Sequence, residues 1–166
     1  MANPFSSFVD GFIDRQGRLC ALLILPLTVV VIYEVLMRYL FNAPTIWGFE
    51  MTTFLYGLHY MLGLAYTELH GGHVKVDILT ARIKKKPATV LAILTNVAIF
   101  LPIMSLLTYW TWAFAIKSTQ MLEKNATSWA PPIWPIKLLM AFSFTLLLLQ
   151  GLFRLLRDIS SLKNPS

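Results

Sequence analysis

The chain has 166 residues, 57% of them hydrophobic and only 13% charged, against about 25% charged in an average soluble domain. So little polar sequence excludes a separate soluble catalytic or binding domain and marks an all-α integral membrane protein. The formal net charge of +6 does not point to nucleic acid, because the basic residues follow the boundaries of apolar runs, and the single cysteine, Cys20, excludes an internal disulfide and any multi-cysteine metal site.

Residues 1–18 come first. Phe5, Phe8, Val9, Phe12 and Ile13 recur at helical spacing, with Asp10, Asp14, Arg15 and Arg18 between or after them. The pattern predicts an amphipathic helix lying in the cytoplasmic interface. A first membrane span follows over 19–39. It is longer than the apolar core of a signal peptide and runs on into Glu34 and Arg38, so it reads as retained. Pro26 is placed to kink it.

Asn42-Ala43-Pro44 makes a short external turn, and Trp47 opens a second span over 46–69. Ionisable residues in a span are costly, about 2.5–3.5 kcal/mol at its centre, and need a partner or a water-filled cavity. Glu34 and Arg38 stand four apart on one helical face, with Glu50 just across the turn. One reading is a proton or substrate site. The other is an ion-paired clasp in which one arginine meets two carboxylates, and it is preferred because all three lie close to the interface, where water still helps.

The second span ends at HGGHVKVD, residues 70–77. His70, His73 and Asp77 have a spacing that metal ligands use, but no further His, Cys or acidic group stands nearby to complete a site. The stretch reads better as a structural corner on the cytoplasmic side. Gly71 and Gly72 permit the backbone that stops the helix, and His73 and Asp77 fix the turn if that segment is helical.

The third span, 88–116, is 29 residues long, roughly 43 Å at 1.5 Å per residue, so it must tilt, bend at Pro102 or project from the bilayer. The outer connection 117–132 leads into Trp129-Ala130-Pro131-Pro132-Ile133-Trp134, and the fourth span covers 133–153. Trp47, Trp129 and Trp134 all fall at the outer interface, where amphipathic rings are favoured. The two external turns share an Asn-Ala start and a nearby Trp, which hints at a duplicated hairpin.

Four spans in one domain, 1–166, put ten basic residues on one side and four on the other. By the positive-inside rule both termini and the 70–87 connection are cytoplasmic, and the basic residues are topology determinants and contacts for anionic lipid. No nucleophile and base pair, phosphate loop or zinc motif stands out, so neither an enzyme nor a cofactor is expected. A haem-binding or structural anchor of a respiratory enzyme is one competing reading. The first, third and fourth spans have no histidine, however, while His59 and His70 share the second, about 16 Å apart along it. A small proton-coupled exporter using Glu34 is another, disfavoured because that residue lies near its helix end.

From Glu34 onward the chain resembles the small membrane subunit, DctQ-type, of tripartite ATP-independent periplasmic (TRAP) transporters. The likeness is carried by Glu34-Val35-Leu36-Met37-Arg38-Tyr39, Trp47-Gly48-Phe49-Glu50, Leu62-Gly63-Leu64-Ala65, Gly72-His73-Val74-Lys75-Val76-Asp77-Ile78-Leu79 and Pro131-Pro132-Ile133-Trp134. The resemblance implies a bacterial inner-membrane complex. In it, a large multi-span subunit holds the substrate and sodium sites, a periplasmic binding protein delivers an organic acid, and an ion gradient drives uptake. It implies a scaffold role for the small subunit, and maps the family's usual residues onto Arg38, Trp47, Glu50, His73 and Asp77. On that reading Glu34, Arg38, Trp47 and Glu50 fix the outer end of the first hairpin, and Trp129, Pro132 and Trp134 join them in forming or supporting a docking surface. His59 stands where the family more often has an aromatic or apolar residue.

Overall fold

A computed structural model describes residues 4–72 and 85–163. Among the described residues there are six α-helices and one π-helical turn: α1 (Pro4–Ala21), α2 (Ile24–Tyr39), α3 (Gly48–Leu69), α4 (Lys85–Thr95), the π turn (Asn96–Phe100), α5 (Leu101–Gln120) and α6 (Trp134–Lys163). Val74, His73, Asp77 and the rest of the 73–84 stretch, including most of the basic cluster, lie outside the described residues.

Three helical stretches are long and apolar enough to cross a membrane, namely Ser7–Tyr39, Lys86–Gln120 and Trp134–Leu162. α3, with 22 residues, is about 33 Å long at the standard rise and carries Glu50, His59 and Glu68 along its length. Each bend has a proline behind it. Pro26 has no N–H to give the carbonyl of Leu22, and the helix breaks at Leu22 and Leu23. There the chain tightens into three-residue bonds from Leu22 N to Leu19 O (3.1 Å) and Leu23 N to Cys20 O (3.0 Å). Pro102 likewise withholds a donor from the carbonyl of Ala98. Just ahead of it the backbone widens into the π turn, where Leu101 N–H reaches back five residues to Asn96 O. Of the three ways in which the long third span could be accommodated, a tilt, a bend at Pro102 or projection from the bilayer, the described chain shows one extra residue inserted in the helix just before Pro102.

The helices pack in a row. α2 lies on α3, α3 on α6 and α6 on α5. Among the described residues no comparable contact joins α2 to α5, so these two are the outer members. The outer helices bury little: Leu27 and Glu34 on α2, and Met104, Ala115 and Ser118 on α5. Both leave large apolar side chains uncovered, such as Val29, Ile32, Leu106 and Tyr109.

α1 forms as expected, but it lies along the C-terminal half of α3 rather than apart from the bundle. Its neighbours run antiparallel to it: Cys20 is bonded to His59, Gln16 to Leu62 and Asp14 to His70. Val9 and Ile13 sit in the core with Ala65 and Leu146, while Phe8 and Phe12 remain exposed. The same periodicity that suits a membrane surface suits a groove between two helices, and here half of the apolar face is turned into protein.

α3 ends in a Schellman motif. Gly72 N bonds to Thr67 O (2.8 Å) and Gly71 N to Glu68 O (3.1 Å), with Gly71 at a φ of 65°. Gly71 supplies the left-handed residue, and Gly72 only follows it. α5 ends the same way, through Glu123 N to Ser118 O and Leu122 N to Thr119 O, except that Leu122 occupies the left-handed position, φ 45°.

Candidate functional site

The two hairpin turns meet at one end of the row, and the expected clasp residues lie there. Glu34, on the last full turns of α2, is 9% exposed, which puts its carboxylate inside the α2 and α3 contact, where it needs partners. Arg38 supplies one, Nη2 to Oε1 at 2.8 Å, from one turn further along the same face. Thr45 supplies the other by donating its hydroxyl to Oε2. The Thr45 hydroxyl in turn accepts from Gly48 N (3.1 Å), the first residue of α3. One carboxylate thus ties the end of α2, the turn and the start of α3 together.

Gly48 leaves room for this. A Cβ there would collide with Glu34 Oε2 and the Thr45 hydroxyl, so the close approach of the two helices requires glycine. Beside the carboxylate, Tyr33 stacks on Trp47, with ring centroids 5.7 Å apart and planes at 19°, a geometry worth about 0.5–1.5 kcal/mol beyond the area it buries.

Glu50 does not join the clasp. It is buried, but no ion pair links it to Arg38, and its Oε2 has no hydrogen-bond partner. It lies one turn before Phe54 on the same face of α3, and Phe54 meets Trp129 at 6.5 Å, so Glu50 belongs to the side turned toward the second hairpin. The expected meeting of one arginine with two carboxylates resolves into one pair and a separate buried acid.

The second turn folds on itself. Asn125 N bonds to Pro131 O (2.9 Å) and Ile133 N to Glu123 O (3.0 Å), and Lys124 and Pro132 form an isolated bridge. Pro131 is buried, Pro132 is exposed, and Trp129 and Trp134 are half-buried. Lys137 fastens the turn to α6. Its Nζ lies 2.5 Å from Glu123 Oε2 and 3.9 Å from the centre of the Phe114 ring. The Lys137 ammonium, with the neighbouring Ser118 hydroxyl, holds the Glu123 carboxyl below its usual range.

At the opposite end of the row is a layer of charges that one-dimensional spacing does not reveal. Asp10 of α1 pairs with Arg157 of α6, Glu68 of α3 pairs with Arg154 of α6, and Asp14 pairs with Arg18 and faces His70 Nε2 at 3.4 Å. Gly72, the one corner residue within the described chain, lies just beyond this layer. His59, unexplained by the sequence, acts on the first bend. Its Nδ1 lies 2.9 Å from the carbonyl of Cys20, so the Nδ1–H tautomer donates to a backbone group beside the break made by Pro26.

Thr45, Tyr33, Lys137 and the Asp10, Glu68, Arg154 and Arg157 layer are the residues that sequence reading missed. Thr45 had a signal, since a threonine three residues before the first helical N–H is placed to cap it. The others are joined by folding alone.

Among known proteins, residues 27–161 match the family described as "Tripartite ATP-independent periplasmic transporters, DctQ component". No curated protein matches the chain. The family match begins on the first span, takes in both hairpin turns and runs almost to the end of α6: the chain belongs to the DctQ family, the small membrane component of TRAP transporters, and is a transporter subunit rather than an enzyme.

Proposed function

We propose that this chain is the stationary scaffold of its TRAP complex. It supports the large membrane subunit while that subunit, driven by an ion gradient, moves an organic acid delivered by a periplasmic binding protein across the bacterial inner membrane. The observation that carries the reading is the one-layer row. A wall whose outer helices α2 and α5 leave large apolar side chains uncovered offers lipid and a partner a broad, rigid surface. Several of its own polar groups, among them Glu34, Glu68 and Asp10, hold helices to one another or to a turn.

In this reading the chain crosses four times, through α1 with α2, α3, α4 with α5, and α6, and both termini are cytoplasmic. α3 crosses because it is long enough and lies between two helices that do. The Ser7–Tyr39 stretch has 33 residues, roughly 50 Å at the helical rise, more than a core of about 30 Å holds. Its first turns therefore rise into the cytoplasmic interface. The clasp of Glu34, Arg38 and Trp47, with Glu50 and the turn from Trp129 through Pro132 to Trp134, faces the periplasm. There it supports the surface that meets the binding protein. Gly72, at the end of α3, opens the cytoplasmic corner.

Co-purification tests this. A tagged copy, extracted in mild detergent, should bring down a large multi-span subunit in a fixed ratio, and deleting the gene should abolish ion-dependent organic-acid uptake by cells. A chain that purifies alone while uptake continues would refute the proposal.

A further inference from the structure

Glu50 is the most buried carboxylate among the described residues, 5% exposed, and its Oε2 is enclosed with no hydrogen-bond partner. The basic groups at its end of the row are engaged elsewhere or stand in solvent. Arg38 bonds to Glu34 and Lys137 to Glu123, while Lys117 and Lys124 are exposed on α5 and the turn after it, and no described ion pair joins either of them to Glu50. A place in the first turn of α3 favours a negative charge through the helix dipole, but it does not supply the hydrogen bonds that a buried carboxylate needs.

The groups beside Glu50 are those that hold a cation. One turn along the same face Phe54 meets Trp129 of the second hairpin turn, with ring centroids 6.5 Å apart, and both rings are only half-buried. The same chain builds such a trio around a cation of its own: Lys137 Nζ lies 2.5 Å from Glu123 Oε2 and 3.9 Å from the centre of the Phe114 ring. A carboxylate beside aromatic faces takes an ammonium or guanidinium through a charge-assisted hydrogen bond and a cation–π contact. An acidic or apolar group would gain neither.

We infer that Glu50, with Phe54 and Trp129, receives a lysine or arginine side chain of the large membrane subunit, an inference that rests on the scaffold reading above. Charge complementarity names the group, and burial names its source. A carboxylate enclosed to this degree is destabilising whenever it stands unpaired, so its cation belongs to a permanent neighbour rather than to a binding protein that arrives and leaves in each cycle. The long, flexible stem of a basic side chain suits the approach, since it can lie along apolar surface while its head reaches a polar group.

Glu50→Gln keeps the shape of the side chain and removes its charge, so two measurements on it test the inference. In the isolated chain the melting temperature should hold or rise, because an unpaired buried charge is gone, whereas Glu123→Gln, whose pair is internal, should lower it. In the complex Glu50→Gln should weaken retention of the large subunit by at least about tenfold, through loss of one buried charge pair. Trp129→Leu should weaken it about threefold through loss of the cation–π contact. The inference is overturned if Glu50→Gln lowers the melting temperature of the isolated chain, if it retains the large subunit as the parent does, or if it keeps the large subunit and loses only the binding protein. In each of these outcomes the scaffold reading stands; a parent chain that brings down no large subunit overturns both.

Discussion

Asp10 and Arg157 stand 147 positions apart and are joined by a side-chain ion pair. One turn earlier on the same helix Arg154 meets Glu68, so α6 holds α1 and α3 together through two neighbouring arginines. The two pairs differ in exposure, and this sets their worth. The Arg157 and Asp10 side chains are 47% and 26% exposed, whereas that of Glu68 is 9% exposed. Arg157→Ala should cost about 0.2–1 kcal/mol, while Arg154→Ala, which removes a charge-assisted hydrogen bond from a buried carboxylate, should cost about 1.5–3 kcal/mol. Thermal unfolding in one detergent should rank them in that order, and equal shifts would contradict it.

Gly48 should be far less tolerant than its fellow glycines on α3. Gly48→Ala forces a Cβ onto Glu34 and Thr45, an overpacking penalty of about 1–3 kcal/mol. Gly57→Ala and Gly63→Ala meet nothing within 4 Å and should stabilise by about 0.5–1 kcal/mol through helix propensity. Opposite signs of the melting shift are the expected result.

Thr45→Val keeps the shape of the side chain but removes its hydroxyl. It should loosen the first turn and lower both recovery of the complex and uptake, with Arg38→Ala acting in the same direction. Glu50→Ala should be additive with Arg38→Ala, because the two groups share no bond. Strong coupling between them in a double-mutant cycle would show that they act as one site.

The second turn should respond to acid. The Glu123 carboxyl titrates below its ordinary range because Lys137 stabilises the charged form, so its contribution is fully present above about pH 4.3, the unperturbed glutamate value. It is lost as pH falls through the lowered value in the folded chain. The melting-temperature gap between the parent and Glu123→Gln should be open at pH 6 and close as pH drops below 4. A gap that stays constant would remove Glu123 from this role.

Leu122 holds a left-handed backbone that suits glycine, at a cost of about 1–2 kcal/mol, and its side chain is 64% exposed. Leu122→Gly should therefore raise the melting temperature. Gly71→Ala, at the equivalent position on α3, should lower it.

The parts of this fold that could be read in one dimension are those governed by local chemistry. Glu34 and Arg38 are one turn apart, so their pairing needed no knowledge of the fold. Pro26 and Pro102 announced where hydrogen bonds would fail, and apolar length marked the long helices. Glu50 shows where such reading stops. Whether it meets Arg38 depends on how α3 is rotated about its own axis, which is set by Gly48 seating against Glu34 and Phe54 against Trp129. α1 shows the same limit, since its periodicity declares that one face is covered but not that Ala65 and Leu146 cover it. The pairs Asp10 with Arg157 and Glu68 with Arg154 exist only because distant helices are brought side by side.

The row also has a symmetry. α3 and α6 run parallel to each other in the middle, each flanked by the helix that precedes it across a hairpin turn, so a half-turn about the axis between them carries one hairpin onto the other. Such a palisade would present two interchangeable sides. α1 removes that ambiguity by seating Val9 and Ile13 in the furrow between α3 and α6 on one side alone. Anything that approaches the wall meets a front and a back, and the chain's first eighteen helical residues decide which is which.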